Sequence, residues 1–208
     1  MNGPTRNILL AAFFAAVPAT AFAQVPAGQQ AVLETSLGTI VVALDAARAP
    51  KTVANFVRYA KEGHFNGTVF YRVVPGALIQ AGSYDADGNP RGGVHAAIPF
   101  EGDNGLKNVR GAIAMAHGDD PNSATSEFFI DIAPMPSLDH DAGNTGFAVF
   151  GQVTGGMDVV DKVAASQLGG KGPFEGAAPL TPVAIRSVRI TDVPPAPPAA
   201  TQSPADTH

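Results

Sequence analysis

Short strand-forming segments dominate this chain, and only two helical segments interrupt them, at 50–63 and 155–165. Parallel strands need a crossover connection between each pair, usually a helix, and two helices cannot supply those connections. The strands, about eight in number, are therefore expected to pair antiparallel. A sheet of this size avoids free edges best by closing on itself. We predict a mainly β fold: a closed eight-stranded antiparallel β-barrel capped by two α-helices.

The strand at 127–132 shows which side chains such a fold would bury. Strict alternation places Phe128 and Ile130 inside the barrel, together with Val149 from a later strand, and places Phe129 outside. A large aromatic residue on the polar face of a strand is more informative than a buried one. Phe129 is therefore either covered by a loop or part of a site.

Residues 1–23 have the three parts of a secretory signal peptide. Arg6 supplies the positive charge, and the apolar run 8–17 is too short to span a bilayer. The sequence 21–23, Ala-Phe-Ala, has the small-x-small form of a cleavage site. We predict a periplasmic protein that begins near Gln24 and has no membrane span after cleavage. The alternative is an uncleaved membrane anchor.

The remaining chain divides into a lead-in at 24–30, one globular domain at 31–192, and a Pro/Ala-rich tail at 193–208 that is expected to be disordered. The net charge is −5, or −6 without Arg6, and no basic cluster occurs, so a nucleic-acid partner is not expected. The chain has no cysteine, which excludes disulfides and thiolate chemistry and is compatible with an oxidising compartment.

Sequence motifs for hydrolysis, phosphate binding or metal binding are absent from the chain. There is no G-x-S-x-G or Walker A motif, and the five histidines form no H-x-H or H-x-x-x-H pair. The run 85–89 resembles a calcium loop, but it is too compact for an EF-hand and no glutamate closes it, which favours a plain turn. We expect neither a metal nor another cofactor.

The stretch 70–82 is predicted to form a strand, a tight turn at 75–76 and a second strand. Alternation places Phe70 and Arg72 on one face of the first strand. Gln80, in the second strand, can then lie beside Arg72 on the outer face of the hairpin. Taken alone, this segment favours a solvated arginine on a half-buried strand.

Three segments together resemble the cyclophilins, a family of peptidyl-prolyl cis-trans isomerases, and in particular the exported bacterial type. They lie at 70–82, 110–130 and 138–157, and the similarity extends from about Val32 to Ile190. The resemblance implies a barrel with a helix over each end and no cofactor. It further implies isomerisation of X-Pro bonds in proline-containing segments of exported proteins as they fold. We expect the protein to act as a monomer.

The resemblance also implies roles for individual residues by their position in these segments. Arg72 would be the catalytic arginine, and Gln80 would orient it or the substrate backbone. Leu78, Phe129 and Leu138 would form the pocket for the proline ring. The residues implied to contact substrate are Phe70, Ala77, Leu78, Ala116, His117, Glu127, Phe129, Leu138 and Phe147.

The chain departs from the family pattern at four of its site positions. Ala77 replaces a pocket phenylalanine, which would widen the pocket, and Phe147 falls about where relatives carry histidine or tyrosine. Glu127 replaces a glutamine and adds a negative charge that could pair with Arg72 and compete with substrate. Ser137 replaces a tryptophan, which predicts weak cyclosporin binding. These departures keep open a second interpretation, a low-turnover binding module or chaperone for proline segments; a hydrolase or metal enzyme is the remaining alternative.

Overall fold

The computed structural model describes residues 28–174 and 176–193. The predicted signal peptide and nearly all of the predicted tail lie outside these residues. Within them, no helix is both long and apolar enough to cross a membrane. The helices and strands are β1 Gln29–Thr35, β2 Gly38–Leu44, α1 Pro50–Lys61, β3 Arg72–Val74, β4 Leu78–Ala81, β5 Ala112–Met115, β6 Phe128–Asp131, β7 Ala148–Gly155, α2 Met157–Ala164, β8 Leu168–Gly170, β9 Ala178–Pro179 and β10 Ile185–Asp192.

Eight of the strands form one antiparallel sheet in the order β10-β1-β2-β7-β5-β6-β4-β3, and β8 pairs with β9 in a separate ribbon. The mainly β fold with two helices is confirmed. The prediction of a closed barrel is wrong, because the sheet curves through 202° and remains an open half-barrel.

The two edge strands of the half-barrel are β3 and β10, and in the described part of the chain no ladder joins them. The chain next to them forms a single isolated bridge, between Val69 and Ala184. Backbone groups of the same two segments, which are far apart in sequence, are satisfied by hydrogen bonds across the gap. The hydrogen bonds run from Gly67 N–H to Ile185 O, from Ile185 N–H to Thr68 O and from Phe70 N–H to Val183 O.

Helix α1 packs its apolar stripe into the main core, which lines the concave side of the half-barrel. Pro50 occupies the first turn, where its missing N–H has no intrahelical partner to lose. Val53, Phe56 and Ala60 are buried, as their spacing predicts. The Phe56 ring lies 5.3 Å from the ring of Phe150 in β7. The helix is thus held to the sheet by aromatic contacts at the centre of the core.

Helix α2 is present where the sequence predicts it. The spacing of Met157, Val160 and Ala164 predicts that these residues form its apolar side, but the buried side is rotated from this one. Val160 is buried as expected, whereas Met157 and Ala164 are only partly buried. Val159 and Val163 complete the apolar side instead. Valines are larger than alanine, so this face removes more apolar surface from water.

The predicted register of β6 is correct, and that of β7 is wrong. Phe128 and Ile130 lie in the main core, whereas Phe129 lies on the opposite face of the sheet. Val149 lies on the same outer face as Phe129, and Phe150 points into the core in its place. The set that contains Phe150 also contains the polar Gln152 and Thr154, so simple alternation favours Val149 for the interior. A register shift in the pairing with β5 skips Phe150 and reverses the alternation there, as a β-bulge does.

Candidate active site

The hairpin of β3 and β4 places Arg72 and Gln80 opposite each other. Pro75 and Gly76 form its tight turn, in which Ala77 N–H donates to the carbonyl of residue 74 at 3.0 Å and Gly76 has a φ of 77°. Arg72 is the cross-strand partner of Gln80, and its Nη1 donates to Gln80 Oε1 at 2.8 Å. The two predicted catalytic residues are therefore in direct contact.

Phe70 is not at this site, contrary to the sequence prediction. Its side chain is fully buried in the main core. Arg72 is the cross-strand partner of Gln80, but the N–H of Tyr71 also donates to Gln80 O, at 3.1 Å. Two consecutive residues, Tyr71 and Arg72, therefore face the single residue Gln80. This irregularity shifts the alternation by one residue, as a β-bulge does, and sends Phe70 inward while Arg72 stays outside.

Gln80 is held by three side chains, which fixes the direction of its amide. Its Nε2 donates to the Tyr71 hydroxyl at 2.6 Å and to Glu127 Oε2 at 3.1 Å, which leaves Oε1 for Arg72. Glu127 thus contacts Gln80 and does not pair directly with Arg72, which the sequence had suggested. Burial, and then the nearby Glu127 carboxylate, raise the pKa of Tyr71, so its hydroxyl stays protonated.

An outer apolar cluster covers the convex face of the sheet beside this pair. Gln80 is also the cross-strand partner of Phe129, which brings the polar pair next to the cluster. The Phe129 and Phe147 rings meet edge to face, with centroids 5.2 Å apart and an interplanar angle of 89°. The cluster contains Leu78, Ala112, Ala114, Phe129 and Val149, with Val74, Ala77, Leu106, Ala116, Leu138 and Phe147 partly buried around them.

The loop before β7 brings Leu138 and Phe147 together. Phe147 N–H donates to Leu138 O at 2.9 Å. Gly146 makes this possible, because its φ is 62° and a Cβ there would lie 2.4 Å from the backbone of Asp139. Two predicted pocket residues that are distant in sequence therefore form neighbouring parts of one apolar surface.

His117 and Ala116 border the cluster on the side of β5. The His117 ring lies 4.6 Å from the Phe147 ring, and its two nitrogens contact Gly118 O at 2.7 Å and Gly146 O at 2.8 Å. Ala116 N–H donates to Glu127 O at 2.9 Å. Every predicted substrate-contacting residue except Phe70 therefore lies in or beside the outer apolar cluster.

Comparison with known proteins identifies the family. The profile described as cyclophilin type peptidyl-prolyl cis-trans isomerase/CLD matches residues 30–190. The chain belongs to this cyclophilin family. The prediction of a prolyl isomerase, made from three sequence segments, is thereby confirmed for the family.

Among its relatives, this cyclophilin is 40% identical over 185 residues to peptidyl-prolyl cis-trans isomerase A of Dickeya dadantii, covering 88% of this chain and 96% of the relative. It is 38% identical over 161 residues to isomerase B of Escherichia coli, covering 76% and 97%. A solved cyclophilin structure from Cryptosporidium parvum, determined in the presence of the dipeptide Ala-Pro, has a TM-score of 0.65 and 22% identity, covering 78% of this chain and 98% of that one. This last likeness supports the cyclophilin fold.

Sequence reasoning missed two aromatic residues of the candidate site. The only sequence feature that pointed to Tyr71 was its position next to Arg72. In the structure, its hydroxyl accepts a hydrogen bond from the Gln80 amide. Phe174 had no signal, because it lies in a glycine- and proline-rich stretch with no periodicity. Its ring centroid lies 5.0 Å from Arg72 Cζ.

The described residues contain no group of three or more His, Asp or Glu side chains that could hold a metal ion. In the run 85–89, Asp85 Oδ1 accepts from the backbone N–H groups of Asp87 and Asn89, each at 2.9 Å. Asp85 therefore stabilises a local turn, which is the favoured one of the two interpretations of this run.

Proposed function

We propose that this cyclophilin accelerates rotation about X-Pro bonds in exported client proteins as they fold, acting as a monomer with Arg72 as its catalytic residue. The observation that carries the proposal is the position of Arg72. Its guanidinium is fixed by Gln80, and Gln80 is the cross-strand partner of Phe129 in the outer apolar cluster. A charged donor is thus held beside a surface suited to a proline ring.

The chemistry needs a donor only in the transition state. The X-Pro bond rotates over a barrier of roughly 18–20 kcal/mol, because the nitrogen donates its lone pair to the carbonyl. When the bond is twisted, the nitrogen regains its lone pair and can accept a hydrogen bond from Arg72. That bond is weak in both planar states, so it lowers the barrier by differential binding. No proton has to move.

The outer apolar cluster would hold the proline while the preceding carbonyl rotates. Leu78 and Phe129 form its buried floor, with Leu138 and Phe147 at the partly buried rim. The solved relative obtained with Ala-Pro supports proline-containing segments as the substrate class. No charged side chain belongs to the cluster. The cluster therefore favours an apolar ring over a charged group of the substrate.

An isomerase and a low-turnover binding module are separated by one measurement. The assay follows the cis-to-trans conversion of a tetrapeptide with an Ala-Pro bond, read out by an isomer-specific protease. A rate well above the spontaneous conversion, which takes tens to hundreds of seconds, supports the isomerase. Saturable peptide binding with no acceleration would instead establish the binding module that the changes at Ala77 and Glu127 keep open.

Replacing Ala77 by phenylalanine is expected to raise kcat/KM by about threefold to tenfold. Ala77 lies at the partly buried rim of the cluster, where an aromatic ring would remove further apolar surface of the proline from water. The same peptide assay measures the change. Ala133→Phe is the control, because Ala133 is also partly exposed but is not part of the cluster. An unchanged or lower value for Ala77→Phe would show that the width of the pocket does not limit activity.

Export is proposed from Arg6, the apolar run 8–17 and the Ala-Phe-Ala sequence at 21–23. When the full chain is expressed in a Gram-negative host, the protein recovered from the periplasm should begin near Gln24. N-terminal sequencing of that fraction measures the cleavage point. Periplasmic protein that still begins at Met1 would contradict the cleavage, and protein retained in the inner membrane would favour the uncleaved anchor.

A further inference from the structure

The segment between β8 and β9 is attached to the strand that carries Arg72. Val73 N–H donates to Ala177 O at 2.8 Å, and Ala177 N–H donates to Phe174 O at 3.1 Å. Gly172 also lies against the backbone of Tyr71, where an added Cβ would be 3.3 Å from its carbonyl oxygen. These contacts hold Phe174 at a defined position beside β3.

Phe174 covers the face of the Arg72 guanidinium. The distance from Arg72 Cζ to the centre of the Phe174 ring is 5.0 Å, within the range of a cation–π contact. The same ring lies nearly parallel to that of Tyr71, with centroids 6.3 Å apart and an interplanar angle of 13°. Yet Phe174 is 47% exposed, so core packing does not account for its position.

Together these contacts close a ring of four side chains. Arg72 donates to Gln80, Gln80 donates to the Tyr71 hydroxyl, Tyr71 stacks with Phe174, and Phe174 returns to Arg72. The guanidinium is therefore fixed at one nitrogen by an amide and across its plane by an aromatic ring. A planar donor restrained in both ways can present its remaining N–H groups in a constant direction.

We propose that Phe174 is a positioning residue for Arg72, which acts by fixing the plane of the guanidinium through a cation–π contact. The inference rests on the proposed catalytic role of Arg72. Positioned donors contribute to rate because they need no reorganisation when charge develops. Loss of the ring would leave the hydrogen bond to Gln80 as the main restraint on the guanidinium.

The test is a set of substitutions at position 174 in the Ala-Pro tetrapeptide assay. Phe174→Ala should lower kcat by about twofold to fivefold, with KM little changed. Phe174→Tyr and Phe174→Trp should retain activity, because both keep an aromatic face. Phe174→Leu should be as impaired as alanine. Leu180→Ala is the matched control, because Leu180 is 49% exposed and close to the same ribbon but does not cover Arg72.

A double mutant shows whether Phe174 acts through Arg72. If it does, adding Phe174→Ala to Arg72→Ala should cause no further loss of activity. Full activity of Phe174→Leu, or an additive loss in the double mutant, would overturn the positioning role. Failure of the proposed catalytic role looks different, because Arg72→Ala alone would then keep its activity. The thermal midpoint of every variant is measured to separate these effects from unfolding.

Discussion

Arg72→Ala is expected to lower the rate of X-Pro isomerisation by about 10²–10³-fold while the protein remains folded. Loss of one donor aimed at developing charge commonly has an effect of this size. Arg72 is only half-buried and lies outside the main core, so its removal leaves no cavity there. The measurement is kcat/KM in the peptide assay, with the thermal midpoint of unfolding recorded in parallel.

Two further variants make this prediction specific. Arg72→Lys should recover little activity, because an ammonium group has neither the planar fork nor the same contact with Phe174. Arg186→Ala, at an exposed position on β10, removes the same charge away from the site and should leave the rate unchanged. If Arg72→Ala keeps wild-type activity at unchanged stability, the proposed mechanism is wrong.

Asp131→Asn is expected to stabilise the protein at pH 8 and to remove much of its pH dependence of unfolding. Asp131 is fully buried at the end of β6, directly across from Leu78, and neither oxygen of its carboxyl group has a hydrogen-bond partner within the described part of the chain. Burial, with a smaller effect of the Asp139 carboxylate, raises the pKa of Asp131 to about 8. The ordinary value is 3.8.

The direction of the pH effect follows from the two protonation states. Between pH 4 and pH 8 the folded protein keeps a proton on Asp131 that the unfolded chain releases, so the free energy of unfolding falls as the pH rises. Below pH 4 both states are protonated, and the effect disappears. The full shift corresponds to an upper limit of about 6 kcal/mol, and relaxation around the carboxyl group reduces the loss of stability at pH 8 to about 2–5 kcal/mol.

Urea unfolding of Asp131→Asn and the wild type at pH 5, 6, 7 and 8 measures this difference. The gain of the variant should grow with pH across the series. Asp119→Asn is the control, because Asp119 is exposed in the loop after β5 and its charge can be solvated in both states. A constant difference between Asp131→Asn and the wild type at all four pH values would contradict a buried group that titrates.

Much of this fold is determined by local sequence. The spacing of Val53, Phe56 and Ala60 specifies the buried side of α1, because side chains three and four residues apart share one face of a helix. Pro75 and Gly76 specify the turn, since one has a fixed φ and the other accepts a positive φ. Arg72 and Gln80 could therefore be paired from the sequence alone.

Local pattern fails where one residue changes the phase of a strand. Phe70 was expected beside Arg72. Because two residues of this strand face Gln80, the alternation shifts by one residue, and Phe70 points into the main core. In β7 a register shift at Phe150 has the same effect and turns this residue inward, where it packs against Phe56. Alternation reverses after an inserted residue, and the sequence pattern does not show where the insertion lies. The pairing between strands therefore decides which side chains face the core.

The curvature of the sheet and the surroundings of Arg72 depend entirely on tertiary structure. Contact across the gap of the half-barrel is made by the segments around Val69 and Ala184, which are far apart in sequence. Phe174 reaches Arg72 because a ribbon 100 residues further along the chain is hydrogen-bonded to β3. Asp131 is shielded from solvent because β6 is packed among neighbouring strands. The burial of Asp131 and the contact of Phe174 with Arg72 are properties of the assembled sheet, and the local sequence around these residues does not encode them.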